Sequence, residues 1–216
     1  MKRNDNFYEE KIRGKGLEKL LALIKRLYGE IAKQKRIAED PSCDLERRWD
    51  ACKRIDLVRE RIEATKGELA SIGGEYAPTK NECRCDKFNQ NLMKLKKIEM
   101  SLISFCGMNE YTVDFDGDGA VLRADGGSYP EADHQEKTID KKKLISDLKK
   151  LNIGEWRKRY DASRYNFFIL DGVEWKLRFV YDTGINSVKI CGANAFPYNF
   201  DKLLKALKID GWNLYE

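Results

Sequence analysis

Residues 114–125 read DFDGDGAVLRAD. Asp114, Asp116 and Asp118 alternate, Gly119 follows and Asp125 closes the run, in the order of a calcium loop's first three ligands, its glycine bend and its last ligand. Three features favour a plain turn. The last position of such a loop prefers a bidentate Glu, Leu122 stands where an oxygen is expected, and the flanks alternate apolar and polar residues as strands do. A hairpin turn accounts for Gly117 and Gly119 without an ion, so no metal ligand is assigned. The same carboxylates used as an Asp-x-Asp metal–phosphate site would define a metal-dependent enzyme, the most distant alternative.

Other residues capable of chemistry are scattered. The six cysteines are Cys43, Cys52, Cys83, Cys85, Cys106 and Cys191, and only Cys83 and Cys85 stand close together. A lone Cys-x-Cys lacks the second pair that zinc wants. A continuous helix over 45–72 would hold Cys43 about 40 Å from Cys83 at about 1.5 Å rise per residue. Reduced thiols are expected. The single histidine, His134, lies in an acidic stretch with no orienting partner at a recognisable spacing, so no Cys/His nucleophile is assigned. No catalytic residue and no cofactor is expected.

The charge pattern is more informative. The chain has 41 Lys+Arg and 36 Asp+Glu among 216 residues, a formal net charge of +5. Residues 109–136 hold eight acids and one Arg, whereas 137–164 hold ten bases and four acids. Lys141, Lys142, Lys143, Lys149, Lys150, Arg157, Lys158 and Arg159 stand beside Trp156, Tyr160, Tyr165, Phe167 and Phe168. Bases interleaved with aromatics can bind phosphates and stack on nucleobases. The competing reading is that the aromatics are core and the lysines coat a solvated helix face.

The elements that must position these groups follow from periodicity. Leu17, Leu20, Leu21, Ile24, Leu27, Tyr28 and Ile31 recur at three- and four-residue steps and predict a helix over 15–35. Pro41 breaks it, and Asp44 is placed to cap the next helix. In that helix Ile55, Ile62 and Leu69, with Ala51, Val58, Thr65 and Ile72 between, form a heptad seam ending at Gly73-Gly74. A third helix is predicted over 82–105 through Phe88, Leu92, Leu95, Ile98, Leu102 and Phe105. Beyond Glu110 the period changes to two. Strands are predicted at 111–115 and 120–124, a helical region at 138–160 broken near 152–154, strands at 166–170, 174–181 and 187–191, and a last helix from Phe200 capped by Asn199. YTVDFDGDGAVLRADGGSYP and RFVYDTGINSVKICGANAFP share a strand–turn–strand pattern, as if one hairpin were used twice.

The expected fold class is α+β: an N-terminal antiparallel helical hairpin or three-helix bundle over 1–108, then a small antiparallel-sheet domain over 109–216, ordered ββαβββα, with helices on one face. No apolar run reaches the roughly 18 residues of a membrane span, and the N-terminus offers no signal-peptide core, so a cytoplasmic protein is expected.

Asp171-Gly172-x-x-Trp175-x-Leu177 and Gly192-x-Asn194-Ala195-Phe196-Pro197-x-Asn199-Phe200 resemble a C-terminal module that recurs in bacterial proteins of unassigned activity. The likeness covers about a quarter of the chain. It implies a small sheet-plus-helix fold and carries over no functional residue.

The sequence reading is a non-enzymatic protein-binding regulator, an inhibitor or accessory factor of a bacterial nucleic-acid-targeting defence system of the anti-CRISPR type. In that reading Asp114, Asp116, Asp118 and Asp125 meet a protein partner by mimicking phosphate, and the N-terminal helices can make a homodimer. The alternative is direct nucleic-acid binding through the basic stretch 141–159.

Overall fold

The computed structural model describes residues 5–105, 107–117, 119–125, 135–167, 172–182 and 184–210. By its internal contacts the chain divides into two compact units, Met1–Pro78 and Thr79–Glu216.

The first unit is a helical hairpin. A helical turn, α1 (Asp5–Phe7), runs into a π-helical turn at Tyr8–Ile12, followed by α2 (Leu17–Ala38) and α3 (Leu45–Ser71). Asp44 caps α3 by accepting from the Arg47 backbone N–H at 2.8 Å, as its position predicts. The two long helices are antiparallel neighbours: Arg48 Nε donates to Ala38 O, and Arg54 Nε meets Glu30 Oε1 at 2.6 Å. Ile55, Ile62 and Leu69 are buried with Ala51, Val58 and Thr65, so the heptad seam is the packed face; Ile72 is exposed. On α2 the stripe is Leu20, Leu23, Ile24, Leu27 and Ile31, with Leu17 left outside. Tyr8 O–H donates to Glu68 Oε2 at 2.7 Å, tying the N-terminal turn to α3.

The second unit is a seven-stranded sheet carrying three helices on one face. Its elements are α4 (Lys80–Asn91), β1 (Leu95–Ser104), β2 (Gly107–Asp116), β3 (Gly119–Asp125), β4 (Gln135–Asp140), α5 (Lys141–Lys150), β5 (Arg159–Asp161), β6 (Glu174–Tyr181), β7 (Val188–Ala193) and α6 (Phe200–Ala206). The strand order is β4-β3-β2-β1-β6-β7-β5. All neighbours are antiparallel except β5 and β7. Ile98, Met100, Leu102, Val113, Leu122, Trp175, Leu177, Phe179 and Ile190 point to one face and join Phe88, Leu148, Phe200 and Leu203 of the helices in one core. The alternate residues make a polar face that no helix of this unit covers, called the uncovered face below. The α+β class and the one-sided helical layer are as expected.

Several boundaries differ from the sequence reading. The third helix stops at Asn91, and 95–104 is a strand in the middle of the sheet, so α4 and β1 belong with the sheet unit and not with the hairpin. Leu95, Ile98, Leu102 and Phe105 fit a helical period, but Ile98, Met100 and Leu102 also fit a period of two. Pairing with β2 on one side and β6 on the other selects the strand and leaves Phe105 87% exposed. The helical region predicted over 138–160 is shorter at both ends. Residues 135–140 pair with β3, and Asn152 in the left-handed region ends the helical path before a 3-10 turn at Ile153–Glu155 and the strand β5. Of the strand predicted over 166–170, Asn166 has a left-handed φ of 55° after a 3-10 turn, and 168–170 lie outside the described residues. Both predicted hairpins are present, as β2–β3 and β6–β7.

Candidate functional site

The acidic hairpin lies on the uncovered face. The β2–β3 register runs to Asp116 opposite Gly119, which makes the connection a tight turn, and Gly117 takes a left-handed φ of 48° there. Asp118 falls outside the described residues. Asp114 is neutralised by its neighbours: Arg123 Nη1 reaches its Oδ2 at 2.5 Å and Lys97 Nζ its Oδ1 at 3.7 Å. Arg123 also meets Glu136 at 2.7 Å, and these two carboxylates, Glu136 first, raise its pKa. Asp125 ends β3 opposite Glu110. Among the described residues no group of three or more His, Cys, Asp or Glu side chains could hold a metal ion.

The basic stretch is divided between two places. Lys141, Lys142, Lys143, Lys149 and Lys150 belong to α5, whose buried stripe is Leu144, Ile145 and Leu148. Lys141 Nζ donates to the Gly117 carbonyl, and Lys150 pairs with Asp147 at 3.3 Å. Lys142, Lys143 and Lys149 coat the exposed side of the helix. Arg157, Lys158 and Arg159 leave this helix altogether. Arg157 and Lys158 sit on the extended segment that leads into β5, and Arg159, the first residue of that strand, pairs with Asp161 at 3.3 Å.

Arg157 and Lys158 contribute instead to a groove of about 1020 Å³. Its walls are residues 84–91 of α4, residues 153–158, the turn 184–187 and the start of β7. Among the described residues every charged group lining it is a base: Arg84, Lys87, Arg157, Lys158 and Lys189, beside the neutral donors Asn91, Asn186 and Ser187. Lys87, Lys158 and Lys189 are exposed, and their ammonium groups have no carboxylate partner among the described residues. The two arginines are fixed in place. Arg84 Nη2 donates to the carbonyls of Gly154 and Trp156 at 2.8 and 3.0 Å. The Arg157 guanidinium lies 4.5 Å from the centroid of the Tyr160 ring, and its Nη2 contacts the Tyr165 hydroxyl at 3.3 Å.

Two contacts set the shape of the groove. A Cβ on Gly154 would come 2.5 Å from the Cα of Cys85, so only glycine lets this segment lie against α4. Buried Asn199 joins both ends of the segment: Trp156 Nε1 donates to its Oδ1 at 3.1 Å, and its Nδ2 donates to Leu151 O at 2.8 Å. The sequence places Asn199 as the cap of α6. It does stand at the N-cap position, but its side chain makes no cap hydrogen bond and serves the core.

The C-terminal motif residues are structural in the same way. Val173 N–H donates to Asn194 Oδ1 at 2.6 Å, Trp175 Nε1 donates to Ala195 O at 2.9 Å, and Phe196 and Phe200 pack on Trp175. A Cβ on Gly172 would meet the Asn194 amide, and one on Gly192 the Trp175 indole. Asp171 is outside the described residues. The motif is thus a lock of hydrogen bonds and stacked rings that closes β6, β7 and α6 together.

A second concavity, of about 550 Å³, lies on the uncovered face and is lined by residues of β1, β2, β6 and β7. Glu99, Ser101, Glu110, Thr112, Lys176, Arg178, Lys189 and Cys191 supply its polar groups, and Arg178 pairs with Glu99 at 3.3 Å.

Sequence reading found Arg157 and Lys158 but missed Arg84, Lys87 and Lys189. Arg84 and Lys87 stand three apart on α4, a helical spacing readable from the sequence, while Lys189 is identifiable only through the strand register. No family model matches the chain, and no curated protein or solved structure matches it either.

Proposed function

We propose that the chain binds nucleic acid, holding the phosphate backbone in the groove between α4, residues 153–158 and β7. The observation that carries this is the charge of the lining: among the described residues it has five bases and no carboxylate, in a chain where acids and bases are otherwise nearly balanced. A concave surface of one sign concentrates the opposite charge and steers it in. The neutral amides and hydroxyl at its rim can donate to phosphate and sugar oxygens. Trp156, Tyr160 and Phe88 are 3%, 2% and 5% exposed, so they offer no face for stacking, and binding is expected to tolerate any base sequence.

Phosphate mimicry by the acidic hairpin is the less favoured route to a binding function, because Asp114 already spends its charge on Arg123 and Lys97. No described helix is long and apolar enough to cross a membrane.

The test is fluorescence anisotropy with labelled oligonucleotides across a salt series. Three phosphates neutralised by Lys87, Lys158 and Lys189, with release of their counterions, give a slope of about −2.1 to −2.7 in log K against log salt, hence about an 18- to 42-fold loss of affinity between 50 and 200 mM. Lys87→Glu with Lys158→Glu should flatten that slope, and Lys142→Glu with Lys143→Glu on α5 should leave it nearly unchanged. Equal effects from both pairs, or no binding by the unmodified protein, would overturn the assignment.

A further inference from the structure

Lys189 lines both concavities, the basic groove and the one on the uncovered sheet face. It can do so because β5 pairs only with Cys191–Ala193, so the preceding stretch of β7 has no outer strand neighbour among the described residues. On the uncovered face Lys189 stands opposite Arg178, and Lys176 stands opposite Cys191 one strand over. Strand spacing and rise put the Lys189 and Lys176 Cα atoms about 8 Å apart. Lys176 is exposed and has no carboxylate partner among the described residues. Beyond it the sign reverses. Glu99 holds Arg178, and Glu110 on β2 stands opposite Ser101 of β1. The basic surface therefore starts in the groove, turns over the edge of β7 at Lys189, and ends at Lys176 before the acidic half of the sheet.

We infer that the ligand is a single strand of nucleic acid, whose backbone leaves the groove over Lys189 and places a further phosphate on Lys176. This rests on the nucleic-acid reading above and narrows it. The groove opens beside the helix layer and the second concavity lies on the opposite face, so one ligand touching both must turn around a single β-strand. Duplex DNA stays straight over a persistence length of about 150 base pairs and can reach one surface or the other. A single strand can follow the turn. Glu110, exposed on β2, repels phosphate and sets where the path stops.

The experiment compares oligothymidylates of about 4 and about 16 nucleotides, the range of single-strand site sizes, with a duplex of the longer length and with polyglutamate. Lys176→Ala and the pair Lys87→Ala/Lys158→Ala are each measured in a salt series, with thermal melting as a check on folding. The long single strand should bind more tightly than the duplex. Lys176→Ala should lower its salt slope by about 0.7 while leaving the short strand unaffected, and the groove pair should weaken both. If the groove pair weakens binding but Lys176→Ala leaves the long strand's slope unchanged, the path over β7 is wrong and the groove assignment stands. Duplex binding as tight as the single strand would also overturn the path. Polyglutamate binding as tight as the long strand would make an acidic peptide the ligand and overturn both readings.

Discussion

Replacing Asn199 by Ala removes a 2%-exposed side chain that satisfies two other buried groups, the indole N–H of Trp156 and the carbonyl of Leu151. Each group left without a partner costs about 1–3 kcal/mol, and partial relaxation of the segment places the sum near 3 kcal/mol. For a unit of this size that corresponds to a fall in Tm of about 10 °C. The protein has two units, so the probe must report on the second alone. Trp49 of the first unit is 54% exposed, and in a Trp49→Phe background the remaining tryptophans all belong to the second unit. Their fluorescence during urea unfolding gives the change in stability. Repeating Asn199→Ala in a Trp156→Phe background, where no indole N–H is left stranded, should reduce its cost by about 1 kcal/mol. A single-variant cost below about 1 kcal/mol, or the same cost in both backgrounds, would refute the bridging role. Because residues 151–156 also lead to Arg157 and Lys158, the variant should bind oligonucleotide more weakly at temperatures where it is still folded.

Two further outcomes are expected. Gly192→Ala would drive a Cβ into the Trp175 indole and to within 2.7 Å of Ala195 O, so it should destabilise the second unit by about 3 kcal/mol in the same urea assay; a loss below about 0.5 kcal/mol would show that the lock can yield. The Tyr181 hydroxyl is buried without a hydrogen-bond partner among the described residues, and burial pushes its pKa from 10.0 up to about 12. Folding stability from this group is intact below pH 10 and is lost as pH rises towards 12, because the unfolded chain releases the proton first. Tyr181→Phe should abolish that part of the alkaline loss and be neutral or slightly stabilising at pH 7; clear destabilisation at pH 7 would indicate a partner for the hydroxyl.

The hairpin helices were legible because their apolar spacing repeats over many turns with one meaning. Ile55, Ile62 and Leu69 can share a face only in a helix, and that face is packed. β1 was not legible, since its apolar residues satisfy two periods at once and the choice was made by β2 and β6, which the local sequence does not contain. The site was half legible for a related reason. Arg157 and Lys158 lie in a visible run of charge, whereas their companions come from α4 and β7, distant in sequence and joined only by the fold. Asn199 shows the opposite case: local sequence placed the backbone correctly, and the side chain went to Trp156.

The position of β1 also bears on the order in which the chain can fold. It is the first strand of the sheet to leave the ribosome, yet one of its two edges is completed only by β6, from Ile103 opposite Glu174 to Leu95 opposite Tyr181. The hairpin of the first unit closes through near contacts and can form during synthesis. The meander β1–β4 must wait, with the Leu95–Ser104 edge open, for a strand made much later. An open edge of this length is a template for pairing with another chain. Until β6 is synthesised the β1 edge has no strand partner, so a pause in translation between β4 and β6 is expected to lengthen the exposure of the nascent chain to aggregation.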